Sequence, residues 1–440
     1  MTAIRPNAEA LADAVTRLSA DYERRNPRSK AAFARAREVL PGGNTRAVLY
    51  FDPFPLTFVR GHGAGLIDAD DHAYVDYIGE YGAGLYGHSD PVIGAAIREA
   101  LEEGLSLGGL NRYEVPLAEA IRSRFPGMQR VRFANSGTEA NLLAMTAARL
   151  WTGRPEIAVF SSGYHGGLLS FSTAGARANV PFPYRYGTYN DIGATARAFA
   201  DNPGTIAAVA VELMMGSGGG LPIEPEFIAY LRDFTRRHGI VLIVDEVVTS
   251  RSGAAGLQGR LGIDPDLTTI GKYFGGGLSF GAVGGRTEIM DVFNNETGGV
   301  GIGGTFNNNT LSLAAGLAGL TRVFTPERAE ALYNQGEALR RRIDTTAARR
   351  GVPLRAIGLG SVMNLHLQTG ALRHPHDART PPLARKLLHL AMLARGIAVT
   401  RRGYITLSLP LTQADDDRFV AALDDVLATH GAMLAECAGA

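Results

Sequence analysis

One cysteine, Cys437, stands in 440 residues, which rules out an internal disulfide and a thiolate metal cluster. It fits a reducing compartment, and its place in the last few residues, where chains fray, argues against a catalytic thiol. Charge of one sign is also missing. Lys and Arg total 44 against 43 Asp and Glu, a net charge of +1, so no nucleic-acid or anionic-membrane partner is expected. No apolar run approaches the ~20 residues that span a bilayer. Near the start, Leu11, Val15, Leu18 and Tyr22 recur at helical spacing among charges, which predicts an amphipathic helix, not a secretory signal. The chain is therefore expected to be cytoplasmic. No H-E-x-x-H occurs, and His374-Pro375-His376-Asp377 reads as a solvated loop, so no metal site is expected. Repeats and low-complexity segments are lacking too.

Glycine is abundant, at 55 residues, in short clusters between apolar runs. Such clusters predict tight strand-to-helix turns and close backbone approach to a ligand. The apolar runs Glu156–Phe160, Thr205–Glu212, Gly239–Glu246 and Leu267–Gly271 are too short for buried helices and do not alternate with polar residues. They predict strands buried on both faces, as in a parallel sheet covered by helices. Between them Pro225–Gly239 reads as a helix, with proline near its start and glycine at its end. The expected architecture is α/β, a large domain with a mostly parallel sheet between helices plus a smaller α+β domain. The boundaries read as residues 1–75, a helix and an antiparallel meander; 76–324, the large domain; and 325–440, helices with short strands, one of them in "AVTRRGYITLSLP". The smaller domain would be assembled from both ends of the chain.

In open parallel sheets, ligands bind beyond the carboxyl ends of the strands. The buried runs end in Glu212, in Asp245-Glu246 and in Gly271-Lys272, so acid, acid and amine converge on one sheet edge. Buried charges are costly unless paired or used. Upstream, the strand end Val131–Phe133 runs into Asn135-Ser136-Gly137-Thr138-Glu139 and a long helical pattern, a helix N-terminus suited to phosphate. After Glu156–Phe160, Tyr164 and His165 bring an aromatic and an imidazole to another strand end. A competing nucleophile is Ser279, in a G-x-S-x-G pattern at Gly277–Gly281, with His165-Gly166-Gly167, Asp344 and His366 in the chain order of a serine hydrolase. The elbow needs a strand immediately before the serine and a helix after it. Glycines stand in both places, so the hydrolase reading is set aside.

A phosphate cup, an aromatic platform, a carboxylate and a lysine have one joint explanation, pyridoxal 5′-phosphate (PLP). Lys272 would form the Schiff base with the cofactor aldehyde, then act as the base that moves the proton. Asp245 would keep the ring nitrogen protonated. Val247 and Val248 would pack on the ring face opposite Tyr164. The pieces Asn135–Ala140, Tyr164-His165-Gly166, Asp245-Glu246-Val247, Gly271-Lys272 before its glycines, and Gly304-Thr305-Phe306 together resemble the class III, fold-type I PLP aminotransferases along nearly the whole chain.

That resemblance implies a homodimer with shared active sites, in which Ser136, Gly137 and Thr138 hold the phosphate and Thr305 reaches the phosphate of the partner's cofactor. Within the family, "PGGNTRAVLYFDPFP", "GTFNNNT" and "RRGYITLSLPLT" are most similar to β-amino-acid (β-phenylalanine-type) aminotransferases, neighbours of glutamate-1-semialdehyde aminomutase. The implied reaction moves the amino group of an aromatic β-amino acid to 2-oxoglutarate or pyruvate. The alternatives are an aminomutase of the semialdehyde type and a broader ω-amine transaminase. Arg46 and Arg402 carry over as carboxylate binders, and Arg401 is the rival of Arg402 on the other face of a strand. Glu212 is expected near the substrate. The family's usual Val-Glu-Pro is here Val211-Glu212-Leu213, and Met214 and Met215 make that wall softer and more apolar. Tyr81 and Tyr86 are candidates for an aromatic-tolerant pocket, with a core role as the alternative.

Overall fold

The computed structural model describes residues 6–438. A helix over Pro6–Arg25 opens them, with Leu11, Val15 and Tyr22 buried on one face. Three short strands follow, β1 (Phe58–His62), β2 (Gly65–Asp68) and β3 (Ala73–Asp76), paired antiparallel as the expected meander. Then come β4 (Arg130–Ala134), β5 (Glu156–Phe160), β6 (Tyr184–Gly187) and β7 (Ile206–Glu212). The two-residue strands β8 (Met214–Met215) and β9 (Leu221–Pro222) form a small hairpin. After them lie β10 (Val241–Asp245), β11 (Leu267–Gly271) and β12 (Gly281–Gly285). The last strands are β13 (Leu354–Leu359), β14 (Val362–Leu367), β15 (Ile397–Ala398) and β16 (Tyr404–Thr406).

The central sheet has seven strands in the order β4-β12-β11-β10-β7-β5-β6. All of its pairings are parallel except those of β12, which runs against both neighbours. Every residue of β7, β10, β11 and β12 is buried, the double-faced burial that non-alternating apolar runs require. Helices Gly137–Thr152 and Pro225–His238 are among those that cover the sheet. The second ends as its sequence predicts, with Gly239 at φ 60° closing the last turn.

One sheet joins the two ends of the chain. Strand β15 adds parallel to β3, pairing Ile397 with Val75 and Ala398 with Asp76. The stretch read as a strand around Arg401 and Arg402 is not continuous. Between β15 and β16 the chain makes a tight turn over Thr400–Gly403, with Gly403 N–H donating to Thr400 O at 2.9 Å. The Thr400 hydroxyl accepts from Tyr404 N–H at 2.8 Å and donates to Tyr404 O at 3.0 Å, and Gly403 takes the left-handed φ of 81° that the turn needs. No helix among the described residues is long and apolar enough to cross a membrane.

Candidate active site

Register places the chemistry. In β10 and β7, Asp245 pairs with Glu212, and on the other side Asp245 pairs with Thr269, three residues before Lys272. The two acids and the lysine therefore lie side by side at one edge of the sheet.

Asp245 is 5% exposed and held on both oxygens. Oδ2 accepts from His165 Nδ1 at 2.7 Å and from Asn141 Nδ2 at 2.9 Å, while Oδ1 accepts from Val247 N–H at 2.9 Å. Asn141 is fixed in turn by Thr269 Oγ1, which donates to its Oδ1 at 2.8 Å. Burial works against a charged His165, but the hydrogen bond and charge of Asp245, with Glu212 beyond, outweigh it and raise the imidazole pKa. The result is a buried carboxylate–imidazole pair. A carboxylate oxygen has two lone pairs, so Oδ1 keeps one acceptor position for a protonated nitrogen. Asp245 and Glu246 then part ways. Glu246 turns to the other side and accepts from the N–H groups of Leu257 and Gln258, tying down the following loop.

Lys272 has a left-handed φ of 55°, a strained setting for a non-glycine residue and one typical of functional positions. Burial lowers its pKa, Asp245 pulls it up, and Arg46 adds to the lowering. The balance favours more of the neutral amine than free lysine has. The glycines of this stretch work in packing. Gly271 comes against the backbone of Gly137, and Gly281 against Ser136 O, so β11 and β12 abut the start of the helix Gly137–Thr152.

That helix start is the expected cup. Ser136 caps it, accepting Glu139 N–H at 3.2 Å, and Glu139 reaches back to accept Asn135 N–H at 2.9 Å. The N–H groups of Gly137 and Thr138 have no partner among the described residues. Thr138 Oγ1 accepts from Gly167 N–H at 3.2 Å, which leaves its own hydrogen to donate. A Cβ on Gly137 would fall 2.9 Å from Val247 Cγ1, so only glycine lets that valine approach. Val248 turns toward Gly216 instead. Tyr164 is 43% exposed, its ring free at the edge of the site. A phosphate-ready helix end, a buried carboxylate with one free acceptor position, and a neutral-leaning amine together fit pyridoxal phosphate.

Glu212 is 6% exposed, and its oxygens are taken by Tyr164 N–H at 2.9 Å and Gly216 N–H at 3.1 Å. Burial, against the pull of His165, pushes its pKa up to about 7. It thus clasps the Tyr164 loop to the β8–β9 hairpin. Met214 and Met215 are buried in that hairpin, with the Met215 methyl near Gly163.

The two arginines gather around Tyr81. Arg46 lies 5.7 Å from the Tyr81 ring centre and pairs with Glu80, while Tyr81 stacks on Tyr404 at 6.0 Å. Burial raises the Tyr81 phenol, and Arg402 and then Arg46 pull it back. Arg402 is exposed, and among the described residues no carboxylate pairs with it. The charge of Arg402 bears on Tyr81 and on Arg385, whereas that of Arg401 bears on Arg385 and on buried His389 but not on Tyr81. Arg46 is about half exposed, yet its charge bears on Lys272, so this arginine stands at the solvent-facing mouth of the site. Tyr86 is not in the pocket: it is buried against Gly319 and Tyr273 in the core. Thr305 is exposed near the cup, in a loop joined to Asn135 by Asn307 at 2.8 Å.

Sequence reading gave no role to Asn141, although an asparagine one helical turn past Gly137, among alanines, is an available signal. It also passed over Arg251, a fully buried guanidinium six residues past Asp245. Its Nε donates to Ser361 Oγ at 2.9 Å and its Nη2 to Leu407 O, joining the Asp245 loop to the C-terminal strands, while Nη1 has no partner. Ser279 is exposed between a 3₁₀ turn and β12, a strand, so no elbow exists. Asp344 accepts from Ala356 N–H, and His366 bonds to Gly219 O, away from it. Among the described residues no cluster of metal-ligating side chains occurs.

Comparison with known proteins identifies a family for the chain. The aminotransferase class-III family model matches residues 50–427. A beta-phenylalanine transaminase of Variovorax paradoxus is 48% identical over 428 residues, 97% of this chain and 98% of that protein. A crystal structure of a beta-phenylalanine aminotransferase from the same organism superposes with a TM-score of 0.94 at 46% identity, covering 96% of this chain and 98% of the other. A glutamate-1-semialdehyde 2,1-aminomutase of Sorangium cellulosum is 39% identical, over 92% of this chain and 97% of its own. A solved transaminase with PLP bound has a TM-score of 0.84 at 30% identity, covering 93% of this chain and 99% of that one.

Proposed function

The chain belongs to the class III aminotransferases, PLP-dependent transaminases, and from that premise we propose that it moves the amino group of an aromatic, β-phenylalanine-like amino acid to 2-oxoglutarate or pyruvate. One arrangement carries the reading: a buried carboxylate and a lysine at adjacent strand ends, with two arginines gathered around Tyr81 at the mouth. A transaminase must grip a carboxylate in both its donor and its acceptor, and the guanidinium fork does so bidentately.

When bound, PLP supplies an electron sink for the carbon that loses its proton. Lys272 would hold it covalently through Nζ. The same Nζ would take the proton from the donor's carbon and, in the second half-reaction, deliver one to the acceptor's carbon, a role helped by its lowered pKa. Asp245 would offer Oδ1 to the ring nitrogen, with His165 and Asn141 holding Oδ2 and so aiming the carboxylate. Ser136, Gly137 and Thr138 hold the phosphate at the helix N-terminus. Val247, at the cup, would pack one ring face and Tyr164 the other, while Val248, turned toward Gly216, would not. Arg46 and Arg402 take substrate carboxylates, and Glu212 shapes the wall between the Tyr164 loop and the methionine hairpin.

The same reading makes the enzyme a homodimer in which Thr305 reaches the partner's cofactor phosphate, and it takes 76–324 as the large domain, with 1–75 and 325–440 forming the smaller one. The test is to incubate purified enzyme with β-phenylalanine and 2-oxoglutarate and to look for glutamate. Absence of glutamate, with isomerisation of glutamate 1-semialdehyde instead, would overturn the proposal in favour of an aminomutase.

A further inference from the structure

Four consecutive residues, Gly79, Glu80, Tyr81 and Gly82, have left-handed φ values of 52°, 47°, 54° and 98°. Two of them are not glycine, and each such residue is strained unless its surroundings hold it there. Here they do. Asp76 Oδ1 accepts from Ile78 N–H at 2.8 Å and Gly79 N–H at 3.1 Å, fixing the entry. A Cβ on Gly79 would fall 2.8 Å from Thr406 O, and one on Gly82 would fall 3.1 Å from Lys272 Cδ. One end of the turn is pressed on β16 and the other on the side chain of Lys272. In the middle, the Tyr81 hydroxyl donates to Val48 O at 3.1 Å, two residues from Arg46. The strained turn thus holds Glu80 on the segment that carries Arg46, and the two side chains pair. Arg402, whose charge also bears on Tyr81, has no such partner among the described residues.

We infer that Glu80 is a built-in carboxylate that occupies Arg46 until a substrate carboxylate displaces it, and so sets how tightly that end of the substrate is held. This rests on the reading of Arg46 as a carboxylate binder. Both side chains are about half exposed, so the pair contributes little to stability and can part readily. Its consequence is selectivity. A ligand without a carboxylate at that position leaves the pair intact, whereas one with a carboxylate must exchange it for an equivalent contact. The two arginines are therefore unequal, Arg402 open and Arg46 already occupied.

The test uses the holoenzyme and two ligands of one shape, 3-phenylpropanoate and its neutral amide, as competitive inhibitors. Glu80→Gln keeps the size and removes the charge. It is expected to lower the Ki of the acid about two- to fivefold, the weight of an exposed ion pair, and to leave that of the amide unchanged. With β-phenylalanine it should lower KM and leave kcat in place. Placed in an Arg46→Met background, Glu80→Gln should do nothing. An unchanged Ki for the acid overturns the inference. So does equal tightening in the Arg46→Met background, which is long-range charge without displacement. If Arg46→Met alone leaves the Ki of the acid untouched, the assignment of Arg46 falls first and the inference with it.

Discussion

The sheet edge and the mouth of the site are built on opposite principles. At the edge, Asp245 and Glu212 are almost fully buried, sit in strand register, and have every oxygen engaged. At the mouth, Arg46 and Arg402 stand on short turns, both open to solvent, one paired and one not. The edge fixes charges where a proton must move, and preorganised charge there is worth most because water is excluded. On the proposed reading the mouth must grip carboxylates of more than one shape, and half-exposed arginines on turns can readjust to each. Chemistry is placed on the rigid part and substrate choice on the adaptable part.

This contrast predicts unequal losses. Lys272→Ala should abolish transamination, a fall of at least ~10⁴-fold, while the cofactor stays bound but is no longer trapped on the protein by borohydride reduction. Substantial residual turnover would remove Lys272 from the centre of the chemistry. Asp245→Asn is next, with kcat expected to drop about 10³-fold and the KM values to change little, because the amide cannot hold a charge against the ring nitrogen. A change mainly in KM would show the edge behaving like the mouth and break the comparison.

The edge was legible because its signal is local. Short apolar runs without alternation mark strands buried on both faces, and the first polar residue after each run must lie at a strand end. Lys272 was separable from Ser279 on those grounds alone. The mouth was not legible, because its parts meet only through long-range pairing. Strand β15 docks beside β3, Tyr77 N–H donates to Ala398 O at 2.9 Å, and Thr406 N–H donates to Tyr77 O at 2.8 Å. That sandwich brings the Arg402 turn against Gly79–Gly82, and no pattern in either stretch encodes it. Resemblance named the two arginines, but it gave no hint of Glu80. Nor did it give the turn that breaks the expected strand at Thr400–Gly403.

At the mouth the losses should appear in binding. Arg402→Ala is expected to raise the KM for 2-oxoglutarate about 10- to 100-fold with a much smaller change in kcat, the cost of a bidentate charge-assisted contact. Arg401→Ala serves as the control, since the charge of Arg402 and not that of Arg401 bears on Tyr81. Equal effects of the two would erase the distinction between them.

The smallest effect separates the two regions by pH. Of the two regions, the edge is the one whose carboxyl groups are shifted toward neutrality, so its contribution to stability should titrate there. Burial holds Glu212 at about 7, and buried Glu246 likewise at about 7, whereas in the unfolded chain a glutamate titrates near ~4.3. Between those values the folded apoenzyme keeps a proton on each that the unfolded chain has lost. Stability conferred by the protonated form is therefore complete below about pH 4.3 and declines as pH rises toward 7, then levels off. Glu212→Gln removes one of the two groups. Its amide cannot accept from both Tyr164 N–H and Gly216 N–H, so the variant should melt lower at every pH. Yet its Tm should fall less steeply than that of the wild type between pH 5 and 7, by about 1–3 °C over the interval. A variant whose Tm tracks the wild type in parallel would remove Glu212 from the slope and leave it ionised, with its two N–H contacts outweighing its burial.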